Sequence, residues 1–198
     1  MKKQIKHLCV LTILLSACFS AQAIEFESEG LMFATNTDGT CEVTGVDYYL
    51  ADEDIVIPKN VSYGNVLYTV TSIGSHAFSK INNIVSVTIP NTVTRIGFAA
   101  FSSCSNLTSV KIPNSVSFIG NGAFLKCTSL TSVKIPNKVT CIGAWTFLGC
   151  INLASVIIPK SVVTIGESAF EGCVNLRDIK MPRTGIDIND SAFLGCPR

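Results

Sequence analysis

The sequence predicts a repeat solenoid, a β-rich coil in which short strands stack rung upon rung. Phenylalanine recurs every 23 residues, at Phe78, Phe101, Phe124, Phe147, Phe170 and Phe193. An aliphatic frame, Leu-x-x-Val-x-Ile, keeps the same period, and a proline and a glycine follow it at constant distances in most copies. Self-similarity at a fixed period of this length is the signature of stacked repeats. A single repeat cannot bury its apolar side alone, so the copies must share one continuous core.

Residues 1–23 predict a secretory signal peptide that is cleaved after Ala23. Lysines in the first six residues precede an apolar run at 8–17, and Ala21-Gln22-Ala23 is a small-x-small cleavage signal. The apolar run is far shorter than the ~20 residues of a transmembrane helix. An alternative reading is a lipoprotein: Leu15-Ser16-Ala17-Cys18 resembles a lipoprotein box, in which Cys18 would be acylated and hold the chain at a membrane.

Charge divides the rest of the chain into an acidic head and a basic body. Residues 24–58 contain nine acidic and no basic residues, whereas residues 59–166 contain eight basic and no acidic residues. Removal of the signal peptide would leave 12 basic and 14 acidic residues, a formal net charge of −2. The asymmetry indicates a contact role for one or both halves.

Residues 24–54 lack the repeat and predict an acidic N-terminal β cap. Apolar and polar residues alternate on both sides of Asp38-Gly39, which is typical of short strands joined by a turn. A repeat array exposes an apolar end that a different segment must cover, and the head is placed to do so. Calcium binding by the acids is the alternative. No D-x-D-x-D-G loop is present, and Asp52-Glu53-Asp54 alone is typical of a solvated turn.

Residues 55–68 predict a first repeat that an insertion interrupts. Gly74 follows Pro58 by 16 residues, whereas Gly97 follows Pro90 by seven. Tyr63-Gly64-Asn65 lies in the middle of this excess and predicts a tight hairpin.

Each later repeat divides into a strand, a turn and a second apolar segment. Leu107, Val110 and Ile112 illustrate the inward side of the predicted strand, and Pro113 ends it because proline lacks the amide donor that continues a ladder. A Val-x-x-Ile-Gly segment follows, in which the glycine is predicted to permit a sharp turn. The Ala-Phe segment after it is predicted to form a single helical turn. The predicted turn glycines are Gly74, Gly97, Gly120, Gly143 and Gly166.

With these columns the chain resembles the leucine-rich repeats, and most closely the BspA-like subfamily, whose consensus reads IP-x-x-V-x-x-IG-x-x-AF-x-x-C-x-x-L-x-x-V. The resemblance covers residues 55–198 and recurs about five times, with an incomplete last copy. Like that subfamily, the chain has its cysteine three residues before the strand frame. The resemblance implies a right-handed coil and a secreted or surface-displayed protein. Some members of the subfamily act as adhesins towards host proteins or other cells.

One column of the repeat is cysteine, at Cys104, Cys127, Cys150, Cys173 and Cys196. Equivalent side chains on neighbouring rungs point the same way, about 4.8 Å apart. A disulfide needs Cβ atoms that face each other within about 3.5–4.5 Å. The column is therefore predicted to be buried, reduced thiols, with disulfides or a metal as the less favoured alternatives. Cys141 is predicted to face outward with a reactive thiol, and Cys41 is too isolated to assign.

The sequence does not predict an enzyme, a metal site or a cofactor. After the signal peptide His76 is the only histidine, and it lies in a variable turn column. A catalytic triad needs a base held against a nucleophile and oriented by a third group, and no recurring pattern provides one. Nucleic acid is also disfavoured, because the chain carries an export signal and lacks aromatic stacking motifs.

The candidate ligand face is the outward side of the predicted strands. Small hydroxyl side chains flank a broken stripe of lysines there, and solenoids commonly bind ligands on such a face. The competing interpretation is that these residues only keep an exposed sheet soluble. The candidate residues are Thr88, Thr108, Ser109, Lys111, Thr131, Ser132, Lys134, Ser155, Ile157, Arg177 and Lys180.

These features predict a non-enzymatic secreted or cell-surface adhesion module that binds a protein or an anionic glycan. The alternative is a structural protein that self-assembles, with the acidic head of one molecule docked on the basic body of another. Residues 183–196 form a more polar half-repeat, which predicts either a modest cap or the beginning of a longer array.

Overall fold

The fold follows from a computed structural model that describes residues 23–47 and 53–197. The signal peptide predicted for residues 1–23, with Cys18, therefore lies outside the described residues except at its last position, as does Asp52 of the acidic turn. No helix is present in the described part of the chain; its regular structure is sixteen short strands, β1 to β16.

The N-terminal strands form an antiparallel unit against the first rung. β1 (Glu25–Ser28) pairs with β2 (Leu31–Thr35), which pairs with β3 (Thr40–Val46). The predicted turn at Asp38-Gly39 is confirmed: Asp38 Oδ1 accepts hydrogen bonds from the Thr40 amide at 3.0 Å and the Thr40 hydroxyl at 2.6 Å. These bonds lower the pKa of the Asp38 carboxyl.

The frame of each repeat forms one strand of a parallel ladder, as the alternation predicts. Its central side chain points into the core and its two neighbours point outward. The strands are β4 (Asp54–Val56), β7 (Ser86–Thr88), β9 (Ser109–Lys111), β11 (Ser132–Lys134), β13 (Ser155–Ile157) and β15 (Asp178–Lys180).

A second parallel ladder, which the sequence analysis did not assign, runs along the Val-x-x-Ile segments. Parallel pairing of β3 with β6 joins it to the cap strands. The predicted hairpin is confirmed: β5 (Asn60–Tyr63) pairs antiparallel with β6, and Tyr63 lies opposite Val66. The ladder, called the second sheet below, contains β6 (Val66–Ile73), β8 (Arg95–Ile96), β10 (Phe118–Ile119), β12 (Cys141–Ile142), β14 (Thr164–Ile165) and β16 (Asp187–Ile188).

The Ala-Phe segments form consecutive turns and not the predicted helical turn. Alternate amides bond within the rung and to the next rung: Ser79 N donates to His76 O at 3.0 Å, whereas Phe78 N donates to Ala100 O at 2.8 Å. A helix needs every amide to bond four residues back along its own chain, so this alternation excludes it. The resulting third side of the coil, called the turn edge, has its own inter-rung ladder.

The glycines after each isoleucine are present for a different reason from the one predicted. None of the five has a positive φ. Instead the backbones of neighbouring rungs approach closely at this point: a Cβ on Gly97 would lie 2.6 Å from Gly74 C, and one on Gly120 would lie 2.6 Å from Gly97 C. One column of left-handed positions lies two residues later, at His76, Ala99, Gly122, Trp145 and Ser168.

Aromatic rings and thiols fill the core along the turn edge, as predicted. The column phenylalanines stack nearly parallel at 5.1–5.4 Å between ring centroids, and all but Phe193 are fully buried. The column cysteines are free thiols; the first four are fully buried and Cys196 is half-buried. Each Sγ donates to a phenylalanine carbonyl on the preceding rung, as from Cys127 to Phe101 O at 3.1 Å. Cys41 is also a free, buried thiol.

Both ladders are interrupted between the same two rungs. β9 and β11 belong to different sheets, and so do β10 and β12. The turn edge stays continuous across this boundary, where Gly122 N donates to Ala144 O at 2.9 Å and Phe124 N to Thr146 O at 2.9 Å.

Candidate functional site

The outward side chains of β7, β9, β11, β13 and β15, with the residue before each strand, form a surface called the strand face. The parallel register aligns equivalent positions across rungs: Ser86 lies opposite Ser109, and Thr88 opposite Lys111. In the C-terminal half Lys134 lies opposite Ile157, which lies opposite Lys180. The columns read from the sequence are therefore real rows of neighbouring side chains within each half of the ladder.

All eleven candidate residues point outward. Ser155 is half-buried and the other ten are exposed. The ladder positions them because each lies beside an inward Val, Ile or Leu whose burial fixes the strand's orientation, such as Val133 at 4% exposure.

The strand face has unpaired lysines in its middle and a carboxylate in contact with it at each end. Lys180 Nζ lies 3.6 Å from Asp178 Oδ2, which is the only ion pair among the described residues. At the other end Asp54 Oδ1 accepts a hydrogen bond from the Ser86 hydroxyl at 2.5 Å. Lys111 and Lys134 between them have no carboxylate within ion-pair distance in the described chain, so their ammonium groups remain available to an anionic partner.

The hydroxyl groups of this face divide into two sets. Thr108 Oγ1 donates to Val85 O at 3.1 Å and Thr131 Oγ1 to Thr108 O at 3.4 Å, so these threonines tie neighbouring rungs together. Ser109 and Ser132 have no such bond among the described residues, and their hydroxyls are free to donate and accept. The serines are therefore the better candidates for direct ligand contact.

The larger cavities lie at the two ends of the coil and not on the strand face. One of about 460 Å³ at the C-terminal end is lined by Ile179, Phe193 and their neighbours, and one of about 340 Å³ at the N-terminal end is lined by Leu31, Val61 and their neighbours. An open surface such as the strand face suits a macromolecular partner better than a small molecule, which usually binds in a concave pocket.

Groups that could carry catalysis are scattered. His76 is exposed, and its ring packs edge-on against Phe98 with 5.1 Å between centroids. In residues 23–47 and 53–197 there is no group of three or more His, Cys, Asp or Glu side chains that could hold a metal ion. Cys141 is exposed on β12, as predicted, and it lies beside Thr164 of the next rung.

The candidate residues chosen from the sequence did not include the outward side of the second sheet or the corner that follows it, although Cys141 was predicted to face outward there. Arg95, Phe118 and Cys141 occupy one outward column there, and Trp145 occupies the nearby left-handed position. The available signal was that Trp145 occupies a column filled elsewhere by Ala99, Gly122 and other smaller residues.

The described part of the chain contains no helix with the length and apolarity needed to cross a membrane.

A family model described as the BspA type leucine rich repeat region matches residues 66–198 in six copies. The chain is similar to a leucine rich cell surface protein from Faecalibacterium prausnitzii, with 32% identity over 89% of this chain and a TM-score of 0.78. It spans about half of that protein, 48% of its length. No curated protein matches the chain.

Two further solved structures have the same fold. A leucine rich repeat protein from T. pallidum is 25% identical over 87% of this chain and 89% of that one, with a TM-score of 0.65. A leucine-rich repeat protein from Bacteroides capillosus is 27% identical over 80% of this chain and 98% of that one, with a TM-score of 0.54.

Proposed function

Because the chain belongs to the BspA-type leucine-rich repeat family, we propose that it is a non-enzymatic binding module, exported to or beyond the cell surface, whose strand face holds a protein or an anionic glycan. One observation carries the proposal: the strands hold the exposed Lys111 and Lys134 and the free hydroxyls of Ser109 and Ser132 on one outward surface, which contributes no side chain to the core. Stacked repeats present extended surfaces of this kind to their partners.

Two observations support a location of this protein at the cell surface. The similar protein from F. prausnitzii is described as a cell surface protein. The first residues of the sequence, with their lysines, apolar run and small-residue cleavage signal, are those of an export signal. Mass measurement of the mature N-terminus distinguishes cleavage after Ala23 from acylation at Cys18.

The charge of the strand face favours an acidic partner over a neutral one. Lys111 and Lys134 lack carboxylate partners in the described chain, and no acidic residue occurs between residues 59 and 166. Contacts between exposed charges weaken as salt rises, because the Debye length falls from about 10 Å at 0.1 M to about 3 Å at 1 M.

The test is binding of the purified mature chain to arrays of matrix proteins and of glycans. We expect binding to acidic proteins or sulfated or uronic-acid glycans that weakens with added salt, and recovery of the ligand chemically unchanged. Absence of binding on both arrays, or binding only to neutral ligands with no salt dependence, would contradict the proposal. Conversion of a ligand into a product would identify an enzyme instead.

A further inference from the structure

Three exposed aromatic side chains are carried by the second sheet and the corner that follows it. In the described repeats after residue 69, the aromatic residues with more than two-fifths of their surface exposed are Phe98 at 46%, Phe118 at 42% and Trp145 at 41%. They occupy three successive rungs. Together with Arg95 and Cys141, these residues are called the aromatic patch.

The fold does not require large side chains at these three positions. The column of Phe98 is filled on other rungs by Ser75, Asn121 and Ala144, and that of Phe118 by Cys141 and Thr164. The core phenylalanines occupy a different column and are fully buried. The exposed aromatic rings therefore contribute little to the packing that holds the rungs together.

Trp145 has an additional conformational cost. Its φ is +58°, in the left-handed region, where glycine is favoured and a bulky residue is uncommon. The preceding rung has Gly122 at this position with a φ of +62°. A large aromatic residue kept exposed in a strained position is typical of a surface used for contact.

Arg95 gives the patch a positive charge that forms no ion pair within the described chain. Its guanidinium lies 4.0 Å from the centroid of the Phe118 ring, so the ring holds it in place by a cation–π contact. No carboxylate lies within ion-pair distance of Arg95 in the described chain. A guanidinium fixed over a ring retains N–H donors that match a carboxylate.

A small crevice opens beside Phe118 where the second sheet is interrupted. It has a volume of about 90 Å³ and is lined by Phe118, Ile119, Asn121, Cys141 and neighbouring backbone. This volume equals about three water molecules at ~30 Å³ each, which is also enough for a short aliphatic side chain.

We propose that the aromatic patch is a second docking surface, distinct from the strand face, for an acidic segment of a partner protein. A carboxylate of the partner pairs with Arg95, and an apolar side chain packs among Phe118, Trp145 and the crevice. Charge complementarity selects the acidic segment. The combination of tryptophan, phenylalanine and arginine is the composition of contact residues that dominate protein interfaces.

The rung spacing sets the spacing of the motif in the partner. Arg95 and Trp145 lie on rungs two apart, which corresponds to about 10 Å along the coil. An extended peptide rises about 3.3 Å per residue, so the acidic and the apolar residue are expected about three positions apart.

The experiment uses a displayed library of short random peptides, selected on the immobilised mature chain. Recovered peptides should be enriched in Asp or Glu about three positions from Phe, Trp, Tyr or Leu. Trp145 is the only tryptophan of the chain, so its fluorescence reports on the patch directly. Binding should shift its emission to shorter wavelength, and Arg95→Glu or Phe118→Thr should weaken the affinity by about tenfold or more.

Two matched variants keep the result interpretable. Trp145→Gly restores the residue type that Gly122 shows the fold accepts, and calorimetry should find the same loss of peptide affinity without loss of structure. Lys111→Ala on the strand face should leave peptide affinity unchanged. The proposal is overturned if no acidic peptides are enriched, if the peptides lose affinity through Lys111→Ala and not Arg95→Glu, or if Trp145 responds to oligosaccharides and not to peptides.

Discussion

Single glycines explain how tightly the rungs can stack. The backbones of neighbouring rungs are so close at Gly97 that a Cβ would overlap the Gly74 carbonyl carbon at 2.6 Å. Gly122 lies in open space by comparison, where the nearest atom to a Cβ would be Leu125 Cβ at 3.7 Å, and its requirement is a φ of +62°. Gly97 is required because there is no space for a Cβ atom, and Gly122 is required because its backbone has a positive φ.

Substitution by alanine should separate these two roles. Gly97→Ala should cost about 2–3 kcal/mol or more, because rigid backbone must move to admit the methyl group. Gly122→Ala should cost only about 1 kcal/mol, the penalty for the left-handed conformation that Ala99 already accepts at a φ of +50°. Urea denaturation measures both. Equal losses of stability in the two variants would contradict the steric explanation.

At this scale the sequence alone predicts which glycines recur but not why. The spacing Ile-Gly is compatible with either a turn or a close approach, because both exclude a side chain. Only the distance between rungs decides between them, and that distance is a property of the stacked array. The outward direction of Lys111 and Lys134, in contrast, follows from the alternation along a strand whose central valine must be buried.

Among the elements, the turn edge has the most unusual chemistry. Its thiols donate to carbonyls of the preceding rung, as from Cys150 Sγ to Phe124 O at 3.1 Å. Burial raises the pKa of the Cys104 thiol to about 12. Burial first, and then the neighbouring Cys196, raise the pKa of the Cys173 thiol to about 12. The folded state therefore favours the neutral thiol.

The thiols should differ sharply in reactivity. In the native chain a water-soluble disulfide reagent should label Cys141 quickly at neutral pH, and Cys104, Cys127, Cys150 and Cys173 only after unfolding, because the thiolate is the reacting form and these four are buried. Mass spectrometry of the labelled peptides measures this. Rapid labelling of the buried column in the folded protein would contradict the packing described.

The raised pKa values of the buried thiols determine how the free energy of unfolding changes with pH. Because the folded pKa of these thiols is raised above the ordinary value of 9.0, their contribution to stability is complete below about pH 9 and is lost as pH rises towards 12. Cys141→Ser is the control and should leave this dependence unchanged, because that thiol is exposed.

Two elements show the limit of prediction from sequence. The frame strands follow from their alternation and constant period. After β6, each strand of the second sheet has only two residues, as at Arg95–Ile96. A strand of two residues is too short to show an alternation of apolar and polar side chains. The Ala-Phe segment suggested a helical turn because local pattern does not reveal that alternate amides bond to another rung.

In the whole molecule, the interruption of both ladders at one boundary divides the coil into two hydrogen-bonded halves. Gly120 N donates to Ile96 O at 2.9 Å and Gly166 N to Ile142 O at 2.8 Å, but among the described residues no equivalent bond joins Gly143 N to the preceding rung. The turn edge, the bond from Thr131 N to Thr108 O at 3.3 Å and the phenylalanine stack hold the halves together there, with 5.4 Å between the Phe124 and Phe147 centroids.

Amide hydrogen exchange should detect this boundary. The amides of Thr140 and Gly143 should be protected at least about tenfold less than those of Ser117 and Gly120, whose inter-rung bonds are formed. The amides of Phe124 and Lys126 cross the same boundary on the turn edge and should remain protected. Equal protection of Gly143 and Gly120 would show that the second sheet is continuous in solution.

The head-to-body assembly that the sequence also suggests remains a prediction. The head exposes Glu25 and Glu27 on β1, and the basic residues of the body are exposed on several of its sides. Light scattering at low and high salt separates the alternatives: a monomer at both contradicts assembly, and oligomers that dissociate with salt support it.

The central claim is that the residues which build the coil and those which bind a partner are separate sets. The most direct measurement compares two triple variants of equal net charge, with a ligand that the wild-type chain binds on the arrays. The first variant replaces Lys111, Lys134 and Lys180 by alanine, and the second replaces Lys80, Lys126 and Lys160 by alanine. The first should keep its urea midpoint yet lose about tenfold or more in affinity, as expected for three exposed charge contacts, and the second should bind nearly as the wild type does. Equal affinity of the two variants would contradict a role for the strand face and leave only the overall charge of the body.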